Sequence, residues 1–144
     1  MKIFFVFLFG IVTITRSGLG LRLDTNFQAT TSIPKHYNIS INDVGLWALG
    51  FECRLKGDET ISHLINPGDE SIIEFQADDN DGVSVPCVFY WSKQDMHIHV
   101  FDQSLKKQCG DNLVNTCRWK ISIDGFYVYD VSQYPPNFVK VYDW

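Results

Sequence analysis

The sequence predicts an all-β chain, an antiparallel sandwich of about seven strands closed by two disulfides, and three observations lead there. Apolar and polar residues alternate with period two in short runs between residues 37 and 130. Turn signals such as Pro67-Gly68 and Asp124-Gly125 separate those runs, roughly every 8 to 15 residues, and no stretch sustains a helical period. The four cysteines, Cys53, Cys87, Cys109 and Cys117, are even in number and fall inside the alternating region.

The N-terminal element comes first. Lys2 precedes an apolar run from Ile3 to Val12, and small residues follow at Ser17, Gly18 and Gly20. This is the pattern of a cleavable secretory signal over residues 1–20, with cleavage expected after Gly20. The run is short and ends at Arg16, whereas a membrane span needs about 20 apolar residues. No later window approaches that length, so a secreted, extracellular chain without membrane insertion is expected. Residues 21–36 are polar and irregular, a flexible lead-in containing Pro34. Residues 37–131 are expected to form one domain, and residues 132–144, with Pro135-Pro136, a C-terminal extension.

Within the domain, Tyr37, Ile39 and Ile41 alternate with Asn38, Ser40 and Asn42 as a first strand with one wet face. A second run places Trp47, Leu49, Phe51, Cys53 and Leu55 on one side, so Trp47 and Phe51 are expected to share the buried face of Cys53. Residues 57–70 read as a polar loop. Residues 72–77 suggest a third strand, and 84–91 a fourth that is apolar enough for burial on both faces. Residues 96–101 make a fifth. Cys117, Trp119, Ile121 and Ile123 then alternate with Arg118, Lys120 and Ser122 before Asp124-Gly125 and Phe126-Tyr127-Val128-Tyr129. With Asp124-Gly125 as a two-residue turn, Ile123 would face Phe126 and Ile121 would face Val128.

Charge and cysteine usage narrow the function. The chain carries 12 basic and 17 acidic residues, a net charge of -5. Loss of Lys2 and Arg16 with the signal leaves 10 basic against 17 acidic, a net -7. An acidic surface argues against nucleic acid and anionic membranes as partners. In a secreted chain four cysteines mean two disulfides, with three connectivities open. A zinc site would need closely spaced ligand pairs, and there is no Cys-x-x-Cys.

Candidate chemistry is sparse. His97 and His99 lie two apart on a strand, on one face, where they could ligate a metal or act as acid and base. Met96, Ile98 and Val100 would fill the core face and leave both histidines in solvent, without a third ligand, so neither a metal site nor catalysis is assigned to them. Asp78, Asp79, Asn80, Asp81 and Gly82 look calcium-like, but setting Gly82 as the sixth EF-hand position puts Ala77 first and Val88 twelfth. That segment reads as an exposed turn. Asn38-Ile39-Ser40 is a glycosylation sequon on the wet face of the first strand, and Asn115-Thr116-Cys117 a weak variant. Tyr127 and Tyr129 point away from the hairpin's core face, where exposed aromatics anchor partners.

The ordered set of features resembles the plant self-incompatibility S-protein family of secreted S-protein homologues. The resemblance rests on the Ile39, Ile41, Asn42 strand, then Cys53 with Lys56, Asp58 and Glu59 after it, and Leu64 and Gly68 before Phe75. It continues through Cys87 with Phe89 and Trp91, the Val100-Phe101-Asp102 run, Cys109, and the Cys117, Trp119, Ile121, Asp124, Gly125 hairpin. The stretch after Cys53 departs from the family's longer acidic run. The resemblance implies a two-disulfide β-sandwich without cofactor or enzymatic activity, expected as a monomer, that acts as an extracellular recognition ligand for a cell-surface receptor. Within such a sandwich the pairing Cys53–Cys117 and Cys87–Cys109 is expected: the first would join two inward-facing strands and the second would tie the 102–116 loop to the core. Receptor contact is expected from the loops, through Lys56, Asp58, Glu59, Asp79, Asp81, Lys106 and Lys107, together with Tyr127 and Tyr129. The alternative is a module that binds a small ligand or a carbohydrate.

Overall fold

Strand β1 (Lys35–Val44) turns Tyr37, Ile39 and Ile41 inward and Asn38 and Asn42 outward, the alternation legible in its sequence. The computed structural model describes residues 34–77, 82–110 and 115–144. The proposed signal segment and most of the lead-in lie outside them. After β1 come β2 (Leu49–Arg54), β3 (Thr60–Ile65), β4 (Glu70–Ala77), β5 (Val85–Trp91), β6 (Gln94–Phe101), the one-turn helix α1 (Lys106–Cys109), β7 (Asn115–Ser122), β8 (Gly125–Asp130) and β9 (Asn137–Tyr142). They form a five-stranded sheet in the order β4-β1-β7-β8-β9 and a four-stranded sheet in the order β3-β2-β5-β6. The fold is all-β, as the alternation predicts, with nine strands among the described residues. One neighbour pair, β1 with β7, runs parallel, with Ile39 beside Cys117 and Ile41 beside Trp119.

Inward residues of both sheets make one core. Phe89 on β5 meets Phe126 on β8 edge to face at 5.2 Å, and Tyr37 on β1 meets Phe101 on β6 at 4.9 Å. Trp119 is buried, and its indole N–H donates to the carbonyl of Val100 at 2.9 Å. That bond satisfies the ring's one polar group where water cannot reach, and it links β7 to β6.

Several expectations need correction. Residues 60–65 are not loop: they form the edge strand β3, paired with β2 from Leu49↔Ile65 to Arg54↔Thr60. The strand hides in the sequence because only Ile65 is buried, so no apolar alternation marks it. Trp47 is not in the core but 79% exposed, because Ala48 at φ 58° breaks the run and β2 begins only at Leu49. Strand β5 is buried on one face, with Tyr90 half exposed on the other.

The closing hairpin also differs. Ile121 faces Phe126 and Ser122 faces Gly125, so Ile123-Asp124 is the turn and Ile123 is 71% exposed. Gly125 belongs to the strand. A Cβ there would stand 2.2 Å from the carbonyl oxygen of Tyr142, at a φ of +138°. Glycine is needed at this position for the close passage of β9, and the chain spends it there. The segment read as an extension is part of the fold: β9 pairs with β8, and Trp144 packs against Phe126 at 4.6 Å and Trp91 at 5.6 Å.

The disulfides are Cys53–Cys87 and Cys109–Cys117, in place of the expected Cys53–Cys117 and Cys87–Cys109. Cys53 and Cys87 stand directly opposite on neighbouring strands, with Cα atoms 4.0 Å apart. Cys117 faces the core from the other sheet, and packed sheets stand about 10 Å apart, so the in-register neighbour is the nearer partner. Helix α1 carries Cys109 back onto β7, leaving its Cα 4.3 Å from that of Cys117.

Candidate functional site

The connecting segments at one end of the sandwich gather charged residues of both signs. In the β2–β3 connection, Gly57 and Asp58 both adopt positive φ, and Leu55 N–H donates to Glu59 O at 2.7 Å, which turns the chain tightly and leaves Lys56, Asp58 and Glu59 exposed. Lys56 and Glu59 border a depression of about 160 Å³ together with Glu74, Gln76 and Val83, where β4 ends and β5 begins. Asp79 and Asp81 lie outside the described residues, so their expected role is not addressed by the geometry.

Helix α1 delivers Lys106 and Lys107 to the same end. Asp102 organises its start: Oδ1 accepts from the backbone N–H of Ser104 at 2.8 Å and of Leu105 at 2.9 Å, and from the Ser104 hydroxyl at 2.6 Å. Burial pushes the Asp102 carboxyl up, but these donors outweigh it and hold the group below the usual carboxylate range. Leu105 and Cys109 anchor the helix in the core, and the Cys109–Cys117 bridge ties it to β7. Lys106 lies 5.9 Å from the ring centroid of Tyr37, near the start of β1, and Tyr37 pairs with Phe75 near the end of β4. Lys107 is exposed. Lys56, Asp58, Glu59, Lys106 and Lys107 therefore share one end on short, covalently tied segments.

Tyr127 and Tyr129 belong to a different surface. They stand on the outer face of the five-stranded sheet, away from the core as expected, and each is half-buried by its neighbours. Arg118 lies 5.8 Å from the Tyr129 ring, and Lys120 lies 4.7 Å from the Tyr127 ring and 5.3 Å from that of Phe138. Tyr127 also donates to Asp124, whose carboxyl is held down to about 2 by the Ser122 and Tyr127 hydroxyls. Asn38 projects from this same face on β1, opposite Glu74 and Thr116.

Sequence reasoning missed a third feature, on the outer face of the four-stranded sheet. Glu52, Arg54, Pro86, Val88, His97 and His99 border an open depression of about 460 Å³. The histidines sit on the solvated face, as the alternation indicates, and His97 Nε2 is 3.5 Å from Asp95 Oδ2. Low Pro86 and Val88 lie between taller neighbours because Pro86 pairs with His99 and Val88 with His97 and Glu52. The signal for this trough is the two-residue spacing of His97 and His99 combined with the register of β2 against β5, which only the fold supplies.

Among curated proteins and among solved structures no significant match is found. The family model described as plant self-incompatibility protein S1 matches residues 41–144, from the middle of β1 through Trp144. That span covers β2 to β9 and both disulfides, including the strand read as an extension, and the chain belongs to the plant self-incompatibility protein S1 family.

Proposed function

We propose that the chain is a secreted recognition ligand, read by a cell-surface receptor through the end of the sandwich that carries Lys56, Asp58, Glu59, Lys106 and Lys107. The observation that carries this reading is that two separate segments bring charges of both signs to one end, each fixed by backbone hydrogen bonds or a disulfide. Backbone segments held in place lose little freedom on binding, which favours specificity built from charge pattern. Membership of a self-incompatibility family supports recognition over catalysis.

The test is saturable binding of purified, oxidised protein to intact plant cells. Charge reversal at Lys106 and Lys107 together, and separately at Lys56, is expected to weaken it about tenfold or more, while a reversal at the opposite end, at Asp143, leaves it unchanged. Equal binding by all three variants would remove the loop end as the receptor site.

A second reading is favoured by the trough beside His97 and His99, whose size suits a sugar or another small polar ligand. Binding to a glycan array that persists in the Lys106/Lys107 variant and is lost on Arg54→Ala would select it.

A further inference from the structure

The cations on the outer face of the five-stranded sheet are held in an unusual way for an acidic chain. Arg118 and Lys120 are two residues apart on β7 and point to the same side, and among the described residues neither is paired with a carboxylate. Aromatic rings brace them instead: Tyr129 for Arg118, Tyr127 and Phe138 for Lys120. A ring quadrupole attracts a cation without neutralising it, so the charge is positioned yet still available to an incoming anion. Lys140 flanks the other side of Tyr127, but its ammonium is bound to Asp143 at 2.6 Å and contributes mainly to bracing.

From this arrangement we infer that the outer face of β7 to β9 is a docking surface for an extended acidic peptide segment of a partner protein, with carboxylates on alternate residues. Charge complementarity selects an anionic partner, and spacing selects the peptide. Alternate residues of a strand repeat at about 6.6 Å, so Arg118 and Lys120 leave β7 at the same backbone repeat at which an extended peptide presents alternate carboxylates. Both ion pairs form without either backbone changing shape, and the guanidinium of Arg118 can take its carboxylate with two parallel hydrogen bonds. This surface is separate from the loop end, and the inference stands whether or not the loops bind a receptor.

Fluorescence anisotropy tests it on the full oxidised protein at low salt, with two labelled octapeptides of equal charge: one alternating Glu with Ser, the other with the four Glu residues in one block. The alternating peptide is expected to bind more tightly. Arg118→Ala and Lys120→Ala should each weaken it by at least about fivefold, since each removes one charge-assisted contact. Tyr127→Leu keeps the net charge and removes the brace, and a loss of about threefold is expected from it, with a melting curve to show that the fold is retained. Lys93→Ala, in the exposed turn between β5 and β6, should change nothing. Equal affinity for the two peptides, or equal loss from Lys93→Ala, would overturn the proposal by reducing it to bulk charge. A uronic acid oligosaccharide that binds more tightly than either peptide at the same residues would overturn the peptide as occupant.

Discussion

Gly125 and Asp43 show how single residues carry conflicting demands. Replacing Gly125 with Ala puts a methyl group against the Tyr142 carbonyl at a backbone angle that L residues avoid. The backbone is a poor shock absorber there, so Gly125→Ala is expected to cost about 3 kcal/mol, measurable as a shifted urea midpoint. Asp43 is fully buried, with Oδ1 accepting from Leu46 N–H at 2.8 Å and Oδ2 without a partner among the described residues. Burial raises its carboxyl above the usual range, opposed by the Leu46 bond and aided by the nearby charge of Asp69. A raised folded-state value means that ionisation weakens the fold, and the penalty grows as pH rises through and above the usual carboxylate value. Asp43→Asn keeps the acceptor for Leu46 and removes the charge. The variant is expected to melt higher than the parent at pH 7, with the difference shrinking as both are taken below about pH 4.

At the scale of elements, the strands whose two faces differ were legible and the others were not. Tyr37, Ile39 and Ile41 marked β1, and Trp119 and Ile121 marked β7, because each inward side chain is followed by an outward polar one. Strand β3 has a solvated outer edge and little buried surface, so its pattern carries no period. Strand β9 has no fully buried position and no period of two, and the preceding prolines look like the end of a domain. The hairpin register was misplaced by the Asp-Gly pair: turn chemistry favoured Gly125 at the bend, and a long-range contact with Tyr142 claimed it for the strand. Disulfide pairing was beyond reach for a related reason, since it depends on which strands are neighbours. The loop charges at Lys56, Asp58, Glu59, Lys106 and Lys107 could be assigned to loops from the sequence, but their common location required the fold.

The observed pairing sets an expected ranking. Cys53–Cys87 closes 34 residues and Cys109–Cys117 closes 8. In the chain-entropy account these constrain the unfolded chain by about 3.8 and about 2.5 kcal/mol. Replacing Cys53 and Cys87 together with Ala should therefore lower stability more than replacing Cys109 and Cys117, as read from denaturant midpoints. The second pair should show its effect locally as well, as faster amide exchange in α1.

Across the whole molecule, acid stability integrates several anchored carboxylates. Asp130 is held low by the Ser132 hydroxyl, against burial, with further help from Ser132 N–H and Gln133. Asp102 and Asp124 are likewise held low. Each depressed group adds stability that is complete above the usual unfolded value, near 4, and disappears as pH falls through its folded value. Thermal melts are expected to be nearly flat in these groups' contribution from pH 7 to about 5 and to drop between about pH 4 and 2. Asp124→Asn should flatten the lower end of that drop.

The parallel contact of β1 with β7 has a consequence for how the chain assembles. The Asn115 amide donates to His36 O, bridging residues 79 apart in sequence, and β1 stands between β4 and β7 in the sheet. A ribosome delivers β1 early, yet one side of that strand has no partner until β7 emerges. Pairings over such separations are slow to form, because the loop must close before any contact stabilises it. During synthesis the β7-side edge of this strand therefore stays unpaired until the last third of the chain emerges, and β1, the first of the described strands, is among the last to gain both its neighbours.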